Sequence, residues 1–287
     1  LKTFKNLIIY EIHKDLPFKL NGSMVDAIDY FITIYEHNRD INLVLLNSHF
    51  NHKMSLENFI FNRYNLDNDF LNVLCDNIIV KSFSELRLSV IDKILLLDYS
   101  TVNSIRLFCP LIYKEMHIIV EDGTEGNIPR AKYYSEIPEV FDVPGSTRYV
   151  MKMRLDLLKK PLYSKKSVFV NHRNHPSYKV TTVPYDVEHQ AVTDEMNGMY
   201  NDWFFKKDKP IDNLFSEFST FVYYKSCEWF DTHPRLFHEC SYFGKEIVYI
   251  NKNNIKDGSW YRYHDMLENG FKHRMLTLED EIIQEFI

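Results

Sequence analysis

A chain of 287 residues with 45% hydrophobic and 26% charged side chains can bury a sizeable core and, at roughly 150 residues per domain, divides into about two domains. That excludes a small disulfide-stapled scaffold and wholesale disorder, and eight Gly with ten Pro exclude a collagenous or linker-dominated chain. The net charge of −6 is uneven: residues 1–150 hold 15 Lys/Arg against 20 Asp/Glu, and residues 151–287 hold 19 against 20. Cys75, Cys109, Cys227 and Cys240 form no C-x-x-C pair, which argues against a zinc knuckle or redox dithiol and fits a reducing, cytoplasmic setting. No apolar run approaches the roughly 18 residues of a membrane span, so neither a span nor a signal peptide is expected.

In chain order, LIIYEI (7–12) reads as a buried strand. Ser23 is placed to cap a helix in which Met24, Ile28, Phe31, Ile32 and Tyr35 share one face. INLVLLN (41–47), NIIVK (77–81), KILLLD (93–98) and MHIIV (116–120) read as further strands, with helical patterns at 55–64, 84–91 and 100–109 between them. Apolar strands without alternation, separated by helices, predict a parallel sheet covered on both faces. The segment 123–149 holds three Gly and three Pro and reads as a surface excursion or interdomain connection.

The rhythm restarts with SVFVN (167–171), a helical or irregular region 185–205, and a short helix at 211–218 capped by Asp212. TFVYY (220–224), a helix from Pro234 stopped by Gly244, EIVYIN (246–251) and an acidic amphipathic C-terminal helix follow. The expected fold is α/β: a Rossmann-like domain over 1–150 and another over 151–287, their parallel sheets facing a central cleft.

No G-x-G-x-x-G, P-loop, H-E-x-x-H or G-x-S-x-G is present, which disfavours classical dinucleotide dehydrogenases and P-loop NTPases. Asp67-Asn68-Asp69 can hold a divalent metal beside a diphosphate, but without a strand leading into it the pair reads as a helix start. Residues 151–166 carry six bases and one acid, either a solvated face or a phosphate-contacting strip.

The most informative block is TFVYYKSCEWFDTHPRLFHECSYFGKEIVYIN (220–251). A strand, a polar loop and a helix starting at Pro234 make an anion site, because unpaired N–H groups and the helix dipole both favour a phosphate. Arg235 adds a fork of donors. Leu236, Phe237, Cys240 and Phe243 are expected to form the buried stripe, leaving Glu239 on another face to accept ribose hydroxyls.

This block resembles the donor-binding region of two-domain, GT-B type nucleotide-sugar glycosyltransferases. The resemblance rests on Asp231, His233, Arg235 and Glu239, followed by Phe243-Gly244-Lys245, and on Asn171-His172-Arg173 after SVFVN. It implies that Arg173, His233, Arg235 and Glu239 bind the donor, a UDP-sugar. The E-x7-E spacing of many retaining members is absent, since Glu228 and Glu239 are eleven apart.

In the first half, MHIIVEDGTEG (116–126) is similar to the strand-then-aspartate segment of phage DNA β-glucosyltransferases, which modify hydroxymethylcytosine. That likeness implies Asp122 as catalytic base. Glu11 and His13, which end the first strand, are further catalytic candidates. The expected function is sugar transfer to a hydroxyl, with double-stranded DNA carrying 5-hydroxymethylcytosine as the first choice of acceptor. Arg130, Lys132, Lys159 and Lys160 would then contact its phosphates. A cytoplasmic transferase of surface-polysaccharide synthesis, a nucleotide-sugar epimerase and a non-enzymatic binding protein are the alternatives.

Overall fold

The computed structural model describes residues 2–12, 22–97, 99–113, 117–118, 152–161, 165–173, 185–205, 214–225, 235–252, 254, 256, 258–270, 273 and 275–287. Among these, two compact units separate: 2–118 with 152–158 and 275–287, and 159–273.

The first unit is built on a wholly parallel sheet of β1 (Lys2–Glu11), β2 (Ile41–Leu46), β3 (Ile78–Lys81), β4 (Ser89–Leu96) and β5 (His117–Ile118), in the order β3-β2-β1-β4-β5. Leu7, Ile8 and Ile9 are all fully buried, as expected where helices cover both faces of a sheet. Leu7 and Ile9 pack on one face with Val44, Leu46, Ile94 and Leu96 and with Val102 and Ile105 of the helix that follows β4. The helices are α1 (Gly22–His37), α2 (Phe50–Arg63), α3 (Asn68–Asp76), α4 (Phe83–Arg87), α5 (Tyr99–Phe108) and α6 (Pro110–Tyr113).

Helix α1 starts at Gly22, so Ser23 lies inside it rather than capping it, and the Ser23 Oγ instead shares a 2.9 Å hydrogen bond with the Tyr10 hydroxyl. Asp67 behaves as the helix start expected of it: its carboxylate accepts from the Asp69 and Phe70 N–H groups at the head of α3.

Two distant segments complete this unit. The N–H of Arg154 donates to the fully buried Asp29 carboxylate, which also accepts the Tyr64 hydroxyl at 2.6 Å. The Arg154 guanidinium reaches Thr33 and Glu36 on α1. The C-terminal helix, whose range closes the chain at Glu281–Phe286, receives Asn38 Nδ2 at the Phe286 carbonyl and Lys93 Nζ at the Glu285 carbonyl. The division drawn at 150/151 assigns both segments to the second half, whereas Arg154, Met153 bridged to Met275, and the last helix all pack in the first unit.

The second unit holds β6 (Val168–Arg173), α7 (Tyr185–Met199), β7 (Trp203–Phe205), β8 (Thr220–Lys225), α8 (Arg235–Tyr242), β9 (Glu246–Asn251) and α9 (Gly258–Asn269); Glu281–Phe286 is then α10. Its four strands are parallel in the order β7-β6-β8-β9. Phe169, Phe221, Tyr223 and Phe237 fill one face and Val168, Val170, Val222 and Met196 the other. The short strand β7 pairs with β6 where the sequence suggested only helical or irregular chain, and Leu214–Ser216 is a 3-10 turn rather than a longer helix. Asp212 lies outside the described residues.

Gly244, with φ +67°, stops α8 as expected. Its N–H donates to Ser241 O and that of Lys245 to Cys240 O, the paired bonds that satisfy the last carbonyls of a helix.

Candidate functional site

In doubly wound sheets, ligands bind outside the carboxyl ends of the strands where the strand order reverses. In the first unit the chain runs β1-β2-β3 one way and returns on the other side of β1 as β4. Glu11 is the last residue of β1, on the face of Leu7 and Ile9 by strand alternation. Its backbone N–H donates to the buried Thr101 hydroxyl in the first turn of α5, at 2.9 Å. The Glu11 residue is 8% exposed and its Oε2 has no hydrogen-bond partner among the described residues. Leaving such an oxygen without a donor costs about 1–3 kcal/mol or more. His13 and Asp122, the other catalytic candidates, lie outside the described residues.

A second cluster at this edge escaped the sequence reading. After β2, Asn47 adopts φ +57°, which Asn tolerates, and the next residue, Ser48, hydrogen-bonds His52 Nδ1 at 2.9 Å. The His49 ring lies 5.5 Å from that of His52. Burial and then the His49 charge push the His52 imidazole below its ordinary range. The available signal was the four-residue spacing of Ser48 and His52 across a strand-to-helix turn.

In the second unit the reversal falls between β6 and β8. The last register positions of three adjacent strands are Arg173, Lys225 and Asn251, paired in that order. Lys225 is fully buried, a rare state for a lysine, and was not singled out from the sequence. Arg173 is the last residue of β6. The helix following β8 opens with Arg235.

Both donor-binding candidates on α8 are more deeply placed than expected. Arg235 is 6% and Glu239 3% exposed, and Arg235 Nε donates to Glu239 Oε1 at 2.6 Å. Phe237 and Cys240 are buried as anticipated, but His238 is buried too, 6.2 Å from the His273 ring, while Leu236 and Phe243 are only partly buried. Beyond the sheet, α8 is also contacted by the His273 ring, which lies against His238 and Tyr242. The Cys240 thiol is raised by burial and by Glu239.

On the opposite face, the Tyr224 hydroxyl donates to Glu195 at 2.6 Å, and Lys252 pairs with the same carboxylate at 2.6 Å. Burial alone would raise Glu195, but the hydrogen bonds from Lys252 and Tyr224 outweigh it and hold the carboxyl below its usual range. Burial, and then the neighbouring His189, push His172 down to about 4; its ring lies edge-on to Tyr224.

Among its described residues the basic strip forms one 3-10 turn, Leu155–Leu157. Lys152 pairs with Asp280, Arg154 with Glu36 and Asp156, and Lys165 with Glu217, so three of its six bases serve as structural ties. Lys159 and Lys160 are exposed, with Lys160 Nζ 6.0 Å above the Tyr242 ring. Arg130, Lys132 and His233 lie outside the described residues. Among the described residues no group of three or more His, Cys, Asp or Glu side chains is gathered as a metal site, and no helix is long and apolar enough to cross a membrane.

Comparison with protein-family models, with curated proteins and with solved structures returns no match.

Proposed function

We propose that this chain transfers a sugar from a nucleotide-sugar donor, a UDP-sugar, to an acceptor hydroxyl. The observation that carries the reading is the carboxyl edge of the second sheet. Arg173 and Lys225 pair in register across the reversal point, Asn251 continues that line on β9, and the next helix opens with Arg235, with Glu239 one turn on. A diphosphate needs cations and helix-terminal N–H donors, and a ribose needs a carboxylate one turn into the helix. Residues of these types on β6, β8, β9 and the start of α8 support the reading.

The acceptor in this proposal is 5-hydroxymethylcytosine in double-stranded DNA. Its primary alcohol is a suitable nucleophile, and Lys159 and Lys160 are exposed cations for the phosphate backbone. Transfer forms a bond between the acceptor oxygen and the anomeric carbon. It breaks the bond from that carbon to the diphosphate, and the electron pair leaves with UDP.

Mass spectrometry tests the reading by pairing several UDP-sugars with hydroxymethylcytosine DNA and with lipid-linked glycans. Sugar-shifted DNA nucleosides are expected. Transfer only to the glycan replaces the acceptor, and a changed nucleotide sugar without any transfer identifies an epimerase. No thermal shift with millimolar UDP, together with no product, overturns the enzyme reading in favour of a binding protein.

A further inference from the structure

The carboxyl edge of the first sheet holds a hydroxyl paired with an imidazole, Ser48 and His52, that sugar transfer does not use. We infer that Ser48 is a nucleophile with His52 as its base, and that the pair cleaves carboxylic esters carrying an apolar acyl group. The inference lies wholly within the first unit and goes beyond the glycosyl-transfer reading, on which it does not depend.

The position of Ser48 is fixed by its neighbours. Strand β2 ends at Leu46, Asn47 at φ +57° turns the chain out of the sheet, and the Asn47 N–H donates to the Lys81 carbonyl at the end of β3 at 2.8 Å. Ser48 follows that turn. It is 9% exposed, and its Oγ lies 2.9 Å from His52 Nδ1 but 3.5 Å from the His49 carbonyl, so the ring is the better acceptor for its one proton. With the imidazole hydrogen on Nε2, the Nδ1 lone pair receives that proton. Burial and the His49 charge both favour the uncharged ring, which is the form a base needs.

The start of α2 adds donors beside this pair. Its N-cap, His49, makes no side-chain cap bond, and the His52 N–H is already bonded to the His49 carbonyl at 3.0 Å. The N–H groups of Phe50 and Asn51 open the helix ahead of it, where the backbone offers no helical acceptor. Two such donors suit the oxygen that becomes negative when a carbonyl is attacked. Phe50 and Met54, one turn apart on α2, are exposed apolar side chains, which favours an apolar acyl group over a charged one.

The reaction balances with water as the co-reactant. Ser48 Oγ bonds to the acyl carbon while its proton passes to His52 Nδ1. The carbonyl electron pair moves onto oxygen and returns as the ester bond breaks, and the leaving alkoxide takes the proton from His52. Water then gives a proton to His52, bonds to the acyl carbon and releases the acid, and the proton returns to Ser48.

The test treats the full chain with p-nitrophenyl butyrate and with a fluorophosphonate, which forms an O–P bond to an activated serine as fluoride leaves. Peptide mass spectrometry is expected to find the adduct on Ser48. Ser48→Ala removes it, and His52→Gln slows both labelling and p-nitrophenolate release by about 10²-fold or more. Wild type without an adduct on Ser48 overturns the inference, and so does labelling that His52→Gln leaves within a few-fold; a lowered Tm in the variants then assigns the hydrogen bond to holding the head of α2. Should a variant not fold, the wild type still decides: Ser48 labels about 10²-fold faster than the chain's other serines, or the inference fails.

Discussion

The carboxyl edges of the two sheets handle buried charge in opposite ways. At the second edge the buried Arg235 closes on the buried Glu239, and nearer the surface Tyr224 and Lys252 share the Glu195 carboxylate. At the first edge Glu11 keeps one carboxylate oxygen without a partner among the described residues. A compensated pair of this kind holds its shape without any further partner. An uncompensated carboxylate costs stability instead.

Breaking the Arg235–Glu239 pair tests that contrast most strongly. Glu239→Ala leaves the Arg235 guanidinium buried without its carboxylate and is expected to destabilise the fold by about 3–5 kcal/mol in urea denaturation. The double variant Arg235→Met/Glu239→Leu recovers most of that loss, because no lone charge remains. Removing charge at Glu11 is expected to move stability the other way, so equal signs at the two edges would erase the distinction.

Lys245 lies at the opposite end of its sheet, just before β9, where its ammonium donates to the carbonyls of Phe215 and Phe218 at 2.6 and 2.7 Å. Lys245→Met strands both acceptors and is expected to cost about 1–3 kcal/mol by the same denaturation measurement. The UDP-induced thermal shift should be kept, which separates damage to the fold from damage to the edge.

His172 gives a pH-dependent version of the comparison. Its folded value near 4 lies below the ordinary 6.5, so between these values the unfolded chain binds the extra proton. Stability from this group is therefore present above pH 6.5 and is lost as pH falls toward 4, by about 1–2 kcal/mol after allowance for solvent screening. Stability curves for His172→Asn should fall less steeply than wild type over that interval. Parallel curves would mean that burial at this histidine has no energetic consequence.

The smallest effect is expected at Gly244. No atom lies within 4 Å of the position a Cβ would take, so Gly244→Ala meets only the strain of φ +67° and should cost about 1 kcal/mol. A larger loss would show that the end of α8 is coupled to the Arg235–Glu239 pair, which calorimetric unfolding of the Gly244→Ala and Glu239→Ala single and double variants measures as non-additivity.

Much of this architecture was legible in the residues. Apolar runs such as LIIYE and INLVLL call for cover on both faces, and their alternation with helical patterns points to parallel sheets. Asp67 as a helix start and Gly244 as a helix stop were also readable, because capping depends on neighbours two to five residues away.

What depends on distant partners was not legible. Residues 152–158 join the first unit because Asp29 and Thr33, more than a hundred positions earlier, receive Arg154. Trp203–Phe205 becomes a strand because β6 offers an unpaired edge. Helical periodicity put Glu239 off the buried stripe, but Glu239 is 3% exposed, and a carboxylate at that depth closes on Arg235. Glu11 was visible as an acid at the end of a strand. That one of its oxygens lacks a donor is a property of everything packed around it, and only the tertiary structure decides which groups come near and which do not.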